Sequence, residues 1–430
     1  MMNFGDKKIK IACVVLLFLF ITALCPGLPG FKDDINCWRM WCLHGFKYGL
    51  SNVYGSGTNY LPFYHYILWV YGQLAGTEQS INEHINYVRC FTLFFEFAGI
   101  YLVWRWIGKT TDFFLLLSFS MLNIAYSYNT VIWGQVDAIE ATLIFAALYA
   151  AYSGKLTWAG IGLVLALNMK LQAIVFIPIF AFLVFESCTY KVNWKHMGGL
   201  IAGIVITQAL ILWPFMHTKN GIETIYKVAF DSVGIFPRVS LNAYNMWYWI
   251  VGKDAINVLD TGTFIFHLTY RKTGLLLFFI GAFAAHYPLL KHFFLRITRK
   301  KAAYIPVQKE QIWLIAALTA ILFFFLNTEM HERYVHPAFI FLTAYTFYSR
   351  RFGPYILFSI AYFLNLESVL RFLKFTNYGT AMFDQRVIAV LFAMVIVWLF
   401  VLLYRKPKAI PASAPIAPPP SSHDALLSSI

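Results

Sequence analysis

The sequence predicts an all-α polytopic membrane protein, and three observations carry that expectation. Of its 430 residues 60% are hydrophobic and 13% charged, against about 25% charged in soluble domains. Apolar runs recur along almost the whole length, more than one soluble core of this size can use. The formal charge of +14 gathers largely in short loops and tails beside those runs, where Lys and Arg report orientation and not nucleic-acid binding.

Taken in order, the run Ile9–Leu24 follows Lys7, Lys8 and Lys10 and resembles a signal peptide. It lacks a clear small-residue cleavage pattern, so it reads as a retained signal-anchor helix. Eleven further apolar segments fall near 87–104, 112–131, 134–152, 157–169, 171–187, 197–216, 274–290, 311–327, 335–348, 353–370 and 387–404. Several, notably 157–169 and 171–187, are short for a crossing of roughly 17–25 residues and read as broken or buried helices or a hairpin. With a cytoplasmic N-terminus, a count of twelve places the basic loops around Arg105 and Lys109, Lys155, Lys191 and Lys195, His292–Lys301 and Ser349–Arg351 inside. Leu61–Gly76 stands outside that count, because inserting it would invert every basic loop downstream. Its aromatics Phe63, Tyr64, Tyr66, Trp69 and Tyr71 suit an interfacial or re-entrant helix. The expected organisation is one transmembrane domain over 1–404, with external loops 26–86 and 217–273, the second an ordered cap or interfacial loop and not a separate domain. A Pro/Ser/Ala-rich tail over 405–430 is expected to be cytoplasmic and disordered.

This orientation brings four polar stretches to the external face: Pro26–Tyr60, Tyr128–Glu140, Asn168–Gln172 and Asn327–Pro337. Polar clusters between membrane spans are costly and mark function. Asp33 and Asp34 are either solvated loop acids or a carboxylate that takes a proton from an acceptor hydroxyl. Asp137, beside Trp133 and Gln135, and Glu140 one turn on are either helix-dipole acids or ligands for polar groups. Lys170 is either a snorkelling lysine or a contact for a phosphate. In NTEMHERYVHP, Arg333 is the strongest phosphate candidate through bidentate, charge-assisted hydrogen bonds. His331 adds a hydrogen bond or a proton, Glu332 or Glu329 fixes Arg333 in place, and Tyr334 forms an aromatic wall. A structural ion pair closing the loop is the plainer account. His331, Glu332 and His336 miss the HExxH spacing of zinc peptidases by one position. No phosphate loop, dinucleotide-binding glycine pattern or nucleophile elbow is present. No metal ligand set is legible, and no cofactor is expected. Six cysteines show no metal or redox spacing, with Cys37 and Cys42 the candidates for pairing in an oxidising compartment.

The acidic stretch with Asp33 and Asp34, then NYLPFYHYIL (Asn59–Leu68), WGQVDAI (Trp133–Ile139), NMKLQA (Asn168–Ala173) and MHERYVHP (Met330–Pro337) together resemble the integral-membrane GT-C glycosyltransferases. The likeness is to bacterial proteins related to GPI-anchor mannosyltransferases and dolichol-linked glucosyltransferases, and it runs from about residue 10 to 400. It implies a GT-C helix bundle of eleven to thirteen spans, with interfacial helices in the first external loop where Leu61–Gly76 falls. It also implies hexose transfer, usually with inversion, from a polyprenyl-phosphate-linked sugar to a lipid, glycan or protein acceptor. In a bacterial inner membrane the active site would face the periplasm or exterior. The family's base maps to Asp33 or Asp34. In this scheme Arg333, with His331 and Lys170, holds the donor phosphate. Asp137 and Glu140, with Trp133, Gln135, Glu332 and Tyr334, bind sugar or organise the site. The rival expectations are a transporter or flippase for a lipid-linked or polar substrate, and a scaffold of an envelope assembly.

Overall fold

The computed structural model describes residues 7–188, 194–231, 234–298 and 307–405. Helix α1 (Lys7–Leu24) is followed by a first long connection that is itself helical: α2 (Lys32–Tyr48), α3 (Pro62–Ala75) and α4 (Glu78–His84). The chain then runs through α5 (Arg89–Trp106), α6 (Phe113–Met121) and α7 (Ile124–Ser127), which continues into a π-helical turn, Tyr128–Trp133. Next come α8 (Asp137–Tyr152), α9 (Leu156–Met169), α10 (Ile177–Cys188) and α11 (Trp194–Leu212). A second long connection holds α12 (Gly221–Asp231), α13 (Trp247–Ile250) and the small antiparallel hairpin β1 (Thr263–Ile265) and β2 (Leu268–Thr269). It leads to α14 (Tyr270–Thr298), α15 (Lys309–Leu326), α16 (Ala338–Ser349), α17 (Gly353–Leu370) and α18 (Gln385–Tyr404).

Among the described residues seven helical stretches are long and apolar enough to cross a membrane, and an eighth if the pair Phe113–Met121 and Ile124–Trp133, bent by 65°, is one crossing. The chain is therefore a polytopic helical bundle. The count of twelve from hydropathy is higher because it also takes in shorter apolar helices such as Leu156–Met169, Leu171–Ser187 and Ala338–Ser349. Length sets the difference, since each of these helices has only 10–17 residues. A helix apolar on every side belongs inside a bundle; α8 and α16 are buried along most of their length, so protein and not lipid surrounds them. By contrast, only 11% of the apolar window of α1 is buried, against 72% for α15. Outward-facing Leu16 and Phe20 on α1, and Phe279 and Phe283 on α14, mark the lipid-facing surface.

Helix α3 covers most of Leu61–Gly76. Pro62 stands in its first turn and Gly76, at φ +75°, ends it. Fourteen residues reach about 21 Å, short of a hydrocarbon core of about 30 Å, so α3 is not a full crossing. It packs on α2 through the Trp38–Tyr64 edge contact and the Cys42 thiol, which lies 3.3 Å from the Leu68 carbonyl. Cys37 and Cys42 are both free thiols, so the pairing considered for them is absent.

The second long connection is tied to the 327–337 loop. The Leu241 amide donates to the Met330 carbonyl at 2.9 Å. The Asn365 side chain on α17 accepts from the Tyr244 amide and donates to the Asn242 carbonyl. The tail after Arg405, Lys191, and the end of the basic run reaching Lys301 lie outside the described residues.

Candidate functional site

Asp33 and Asp34 form the first turn of α2, and the structure separates them. Asp33 is exposed, whereas Asp34 is partly buried and its Oδ2 accepts from Trp133 Nε1 at 2.9 Å and from the Gln135 side-chain amide. Its Oδ1 accepts nothing among the described residues. The joint between the two segments is built from backbone. The Phe31 amide donates to the Trp133 carbonyl at 2.8 Å, and Trp38 Nε1 donates to the Gly134 carbonyl at 3.1 Å. Gly134 adopts φ +89°, and a Cβ there would fall 2.7 Å from Ile35 Cδ1 and 3.1 Å from Arg89 Nε. Only glycine meets both demands. Arg89 is buried beneath this turn, donating to the Val131 carbonyl at 2.8 Å and to Asn86 Oδ1 at 2.9 Å.

Behind that joint lies a cluster of paired charges. Lys170, in extended backbone between α9 and a 3-10 turn (Leu171–Phe176), donates to Asp137 Oδ1. Asp137 Oδ2 accepts from Asn129 at 3.0 Å and stands 3.9 Å from Arg333 Nε. Arg333 in turn donates to Glu332 Oε1 at 2.8 Å. All four charged residues are buried, and two cations face two carboxylates. Asp34, Glu332 and Asp137 all act on the Arg333 guanidinium, which places the first and last of the four polar stretches at one end of the bundle. His336 stacks on Tyr126 with ring centroids 5.3 Å apart and meets the Tyr362 hydroxyl at 3.3 Å through Nδ1.

A cavity of about 320 Å³ opens beside this cluster. Its inner wall carries Lys170, Tyr60, Tyr334 and His331, with the Lys170 ammonium 5.9 Å and 5.4 Å from the two tyrosine ring centroids. Arg271 and Glu329 line it as well. Four lining residues, Ile174, Ile235, Phe236 and Leu275, are also exposed outside, so polar lining gives way to an apolar mouth. Burial holds the His331 imidazole well below the ordinary histidine range, and Arg333 and Lys170 add to the shift. His331 is thus a neutral hydrogen-bonding group at pH 7.

Several placements differ from the sequence reading. Arg333, expected to hold a phosphate, does not line the cavity; it is locked between Glu332 and Asp137. Glu329 does not fix Arg333 but pairs with Arg271. Glu140 is fully buried with both carboxylate oxygens unpartnered and reaches neither the cavity nor Asp34. Trp133 and Gln135, expected to bind sugar or organise the site, donate to the Asp34 carboxylate. The sequence reading missed Arg271, Arg89, Tyr60 and Asn129. Arg271 sits one turn before an apolar run and looks like any interfacial basic residue. Asn129 and Tyr60 lay inside stretches already marked, so proximity to WGQVDAI and LPFYHYIL was the available signal. Among the described residues no group of three or more His, Cys, Asp or Glu side chains is placed to hold a metal ion. Compared with known proteins, the chain matches no family model, and no curated protein matches it with statistical significance.

Proposed function

We propose that this protein transfers a hexose from a polyprenyl-phosphate-linked donor to an acceptor hydroxyl on the non-cytoplasmic face of a membrane, with inversion. The observation that supports the reading is a partly exposed carboxylate, Asp34, that makes no ion pair among the described residues yet acts with Glu332 and Asp137 on Arg333, at the end of the bundle where a cavity lined by Lys170, Arg271, aromatic rings and apolar side chains opens without Asp34 in its lining. Oδ2 of Asp34 is fixed by neutral donors, which orients Oδ1 without neutralising the group. Asp34 accepts the acceptor hydroxyl's proton as the hydroxyl oxygen bonds to the anomeric carbon. The bond from that carbon to the donor phosphate oxygen breaks, and its electron pair leaves with the lipid phosphate. That leaving group is already a stabilised anion, so one carboxylate suffices, unlike the pair an inverting hydrolase uses. Cations near the cavity stabilise the charge that develops there. The apolar mouth suits an isoprenoid chain lying in the bilayer, and Tyr60 and Tyr334 offer ring faces to a sugar.

Purified protein in lipid, supplied with radiolabelled polyprenyl-phosphate mannose or glucose and a panel of hydroxyl acceptors, tests the reading. Labelled product is expected with one of these donors, and Asp34→Asn is expected to abolish it while the variant still folds. Full transfer by Asp34→Asn would remove the base, and no transfer from any lipid-linked sugar would remove the function.

A further inference from the structure

Among the groups that line the cavity, Arg271 carries an uneven charge balance. In the buried cluster Lys170 and Arg333 stand against Asp137 and Glu332, with Asp34 also acting on Arg333. In the cavity lining one cation serves two carboxylates: Arg271 Nε and one terminal nitrogen donate to Asp260 at 2.8 and 3.0 Å, and that same nitrogen donates to Glu329. Asp260 is completely buried and also accepts from the Thr328 hydroxyl. Glu329 accepts from the Gly234 amide at 2.8 Å and stands at φ +60°, a left-handed conformation that costs a non-glycine residue energy. The second terminal nitrogen of Arg271 donates to nothing among the described residues. Gly234 leaves it room, since a Cβ there would sit 3.4 Å from it.

We propose that Arg271 is the phosphate-binding group of this cavity, and that a lipid phosphodiester seats on it with uptake of one proton by Glu329. The inference rests on the anionic-lipid reading of the donor. Arg271 lines the cavity together with Leu275, one turn along α14 and part of the apolar mouth, so a headgroup held by its spare nitrogen leaves the prenyl chain toward lipid. Arg333 does not line the cavity and the Lys170 ammonium is taken up by Asp137, whereas Arg271 lines it and keeps one terminal nitrogen without a partner among the described residues. A phosphodiester on Arg271 would put three anionic groups around one guanidinium. One must be neutralised, and Glu329 is the group able to do so. It is less buried than Asp260 and holds one of its two contacts to Arg271 only, so the phosphate oxygen takes over that contact. The charged and titratable groups around it are Arg271 and Lys272 from α14, Asp260 and Arg238 from the cap, His331 and Glu332 from its own loop, and Lys170 across the cavity. His331 stays neutral, which leaves Glu329 to carry the proton. Burial, with Asp260 adding, already pushes the Glu329 carboxyl up to about 7.

The sign follows from linkage. A ligand that prefers protonated Glu329 binds tightly below that value and loses affinity as pH rises through it. The probe is a prenyl methyl phosphodiester, which does not titrate between pH 6 and 8.5, and dimethyl phosphate is the headgroup alone. Binding is measured by calorimetry on the full chain in lipid nanodiscs. The expected result is a dissociation constant rising about 30-fold from pH 6 to 8.5, as one proton requires. Glu329→Gln should bind tightly and equally across the range. Arg271→Gln should lose binding at every pH, and Arg271→Lys should retain part of it if Arg271→Gln fails to fold. Dimethyl phosphate should bind far more weakly than the lipid. Lipid binding independent of pH, or an unchanged slope in Glu329→Gln, overturns the proton coupling while leaving the donor reading intact. Full affinity in a folded Arg271 variant, or equal affinity for dimethyl phosphate, overturns the site. No lipid binding by the native chain at any pH overturns the site and the donor reading together.

Discussion

Asp34 and Asp137 are two acids at the same end of the bundle, held by the same WGQVDAI segment, and they are treated in opposite ways. Asp137 is buried and meets Lys170, Arg333 and Asn129, so its charge is spent on the fold. Asp34 is partly exposed, meets an indole and an amide, and makes no ion pair among the described residues. A carboxylate orients without being neutralised when its partners are neutral donors, and it becomes a structural anchor when they are cations. On the proposed function the difference suits Asp34 to the role of base and Asp137 to an architectural one, which narrows the sequence expectation that Asp137 binds sugar or organises the site.

The largest expected effect tests the reactive side of that contrast. Asp34→Asn keeps the size and most of the hydrogen bonding, yet should lower transfer about 10²–10⁴-fold in a donor-dependent assay with little change in thermal unfolding. Next, Asp137→Asn strands Lys170 and Arg333 with one carboxylate between them. It should destabilise the protein by about 3–5 kcal/mol, seen as a lowered unfolding temperature in detergent. Adding Lys170→Met to Asp137→Leu should restore much of that loss, which would mark the pair as architectural. If Asp137→Asn instead folds normally and only loses transfer, the division between the two acids fails.

Gly134→Ala probes the joint that both acids share. Forcing a side chain to φ +89° and into Ile35 and Arg89 should cost about 1–3 kcal/mol, and it should lower transfer by displacing Trp133 and Gln135 from Asp34. The smallest effect belongs to Asp33→Asn. Exposed and without a hydrogen-bond partner among the described residues, Asp33 should change stability by no more than about 0.5 kcal/mol and leave transfer close to native. A large loss there would exchange the roles of the two neighbours. The pH profile of transfer between 6 and 8 should show no inflection from His331, because burial keeps it neutral; His331→Gln should leave the profile's shape unchanged.

Much of this was legible in order along the chain. Apolar runs, the basic loops between them, the exclusion of Leu61–Gly76 as a crossing, and the four polar stretches all follow from composition over windows of ten to twenty residues, because transfer into lipid is nearly additive and local. Which carboxylate faces which cation was not legible. Asp34 meets Gln135 across 101 positions and Lys170 meets Asp137 across 33, and no local pattern encodes pairing at such separations. The eleven residues of NTEMHERYVHP illustrate the limit: the sequence grouped Glu329, Glu332 and Arg333, whereas packing gave Glu332 to Arg333 and sent Glu329 to Arg271 on another helix.

Sequence alone thus determined that this is a multi-span helical protein whose polar residues fall in a few confined stretches, since hydropathy depends only on which residues are neighbours in the chain. Tertiary structure alone decided that Asp34 is held by an indole and an amide, that Arg333 is surrounded by Glu332, Asp137 and Asp34, and that Arg271 stands on the cavity with a nitrogen to spare. Charge compensation depends on distances in space, and those exist only once the helices have packed.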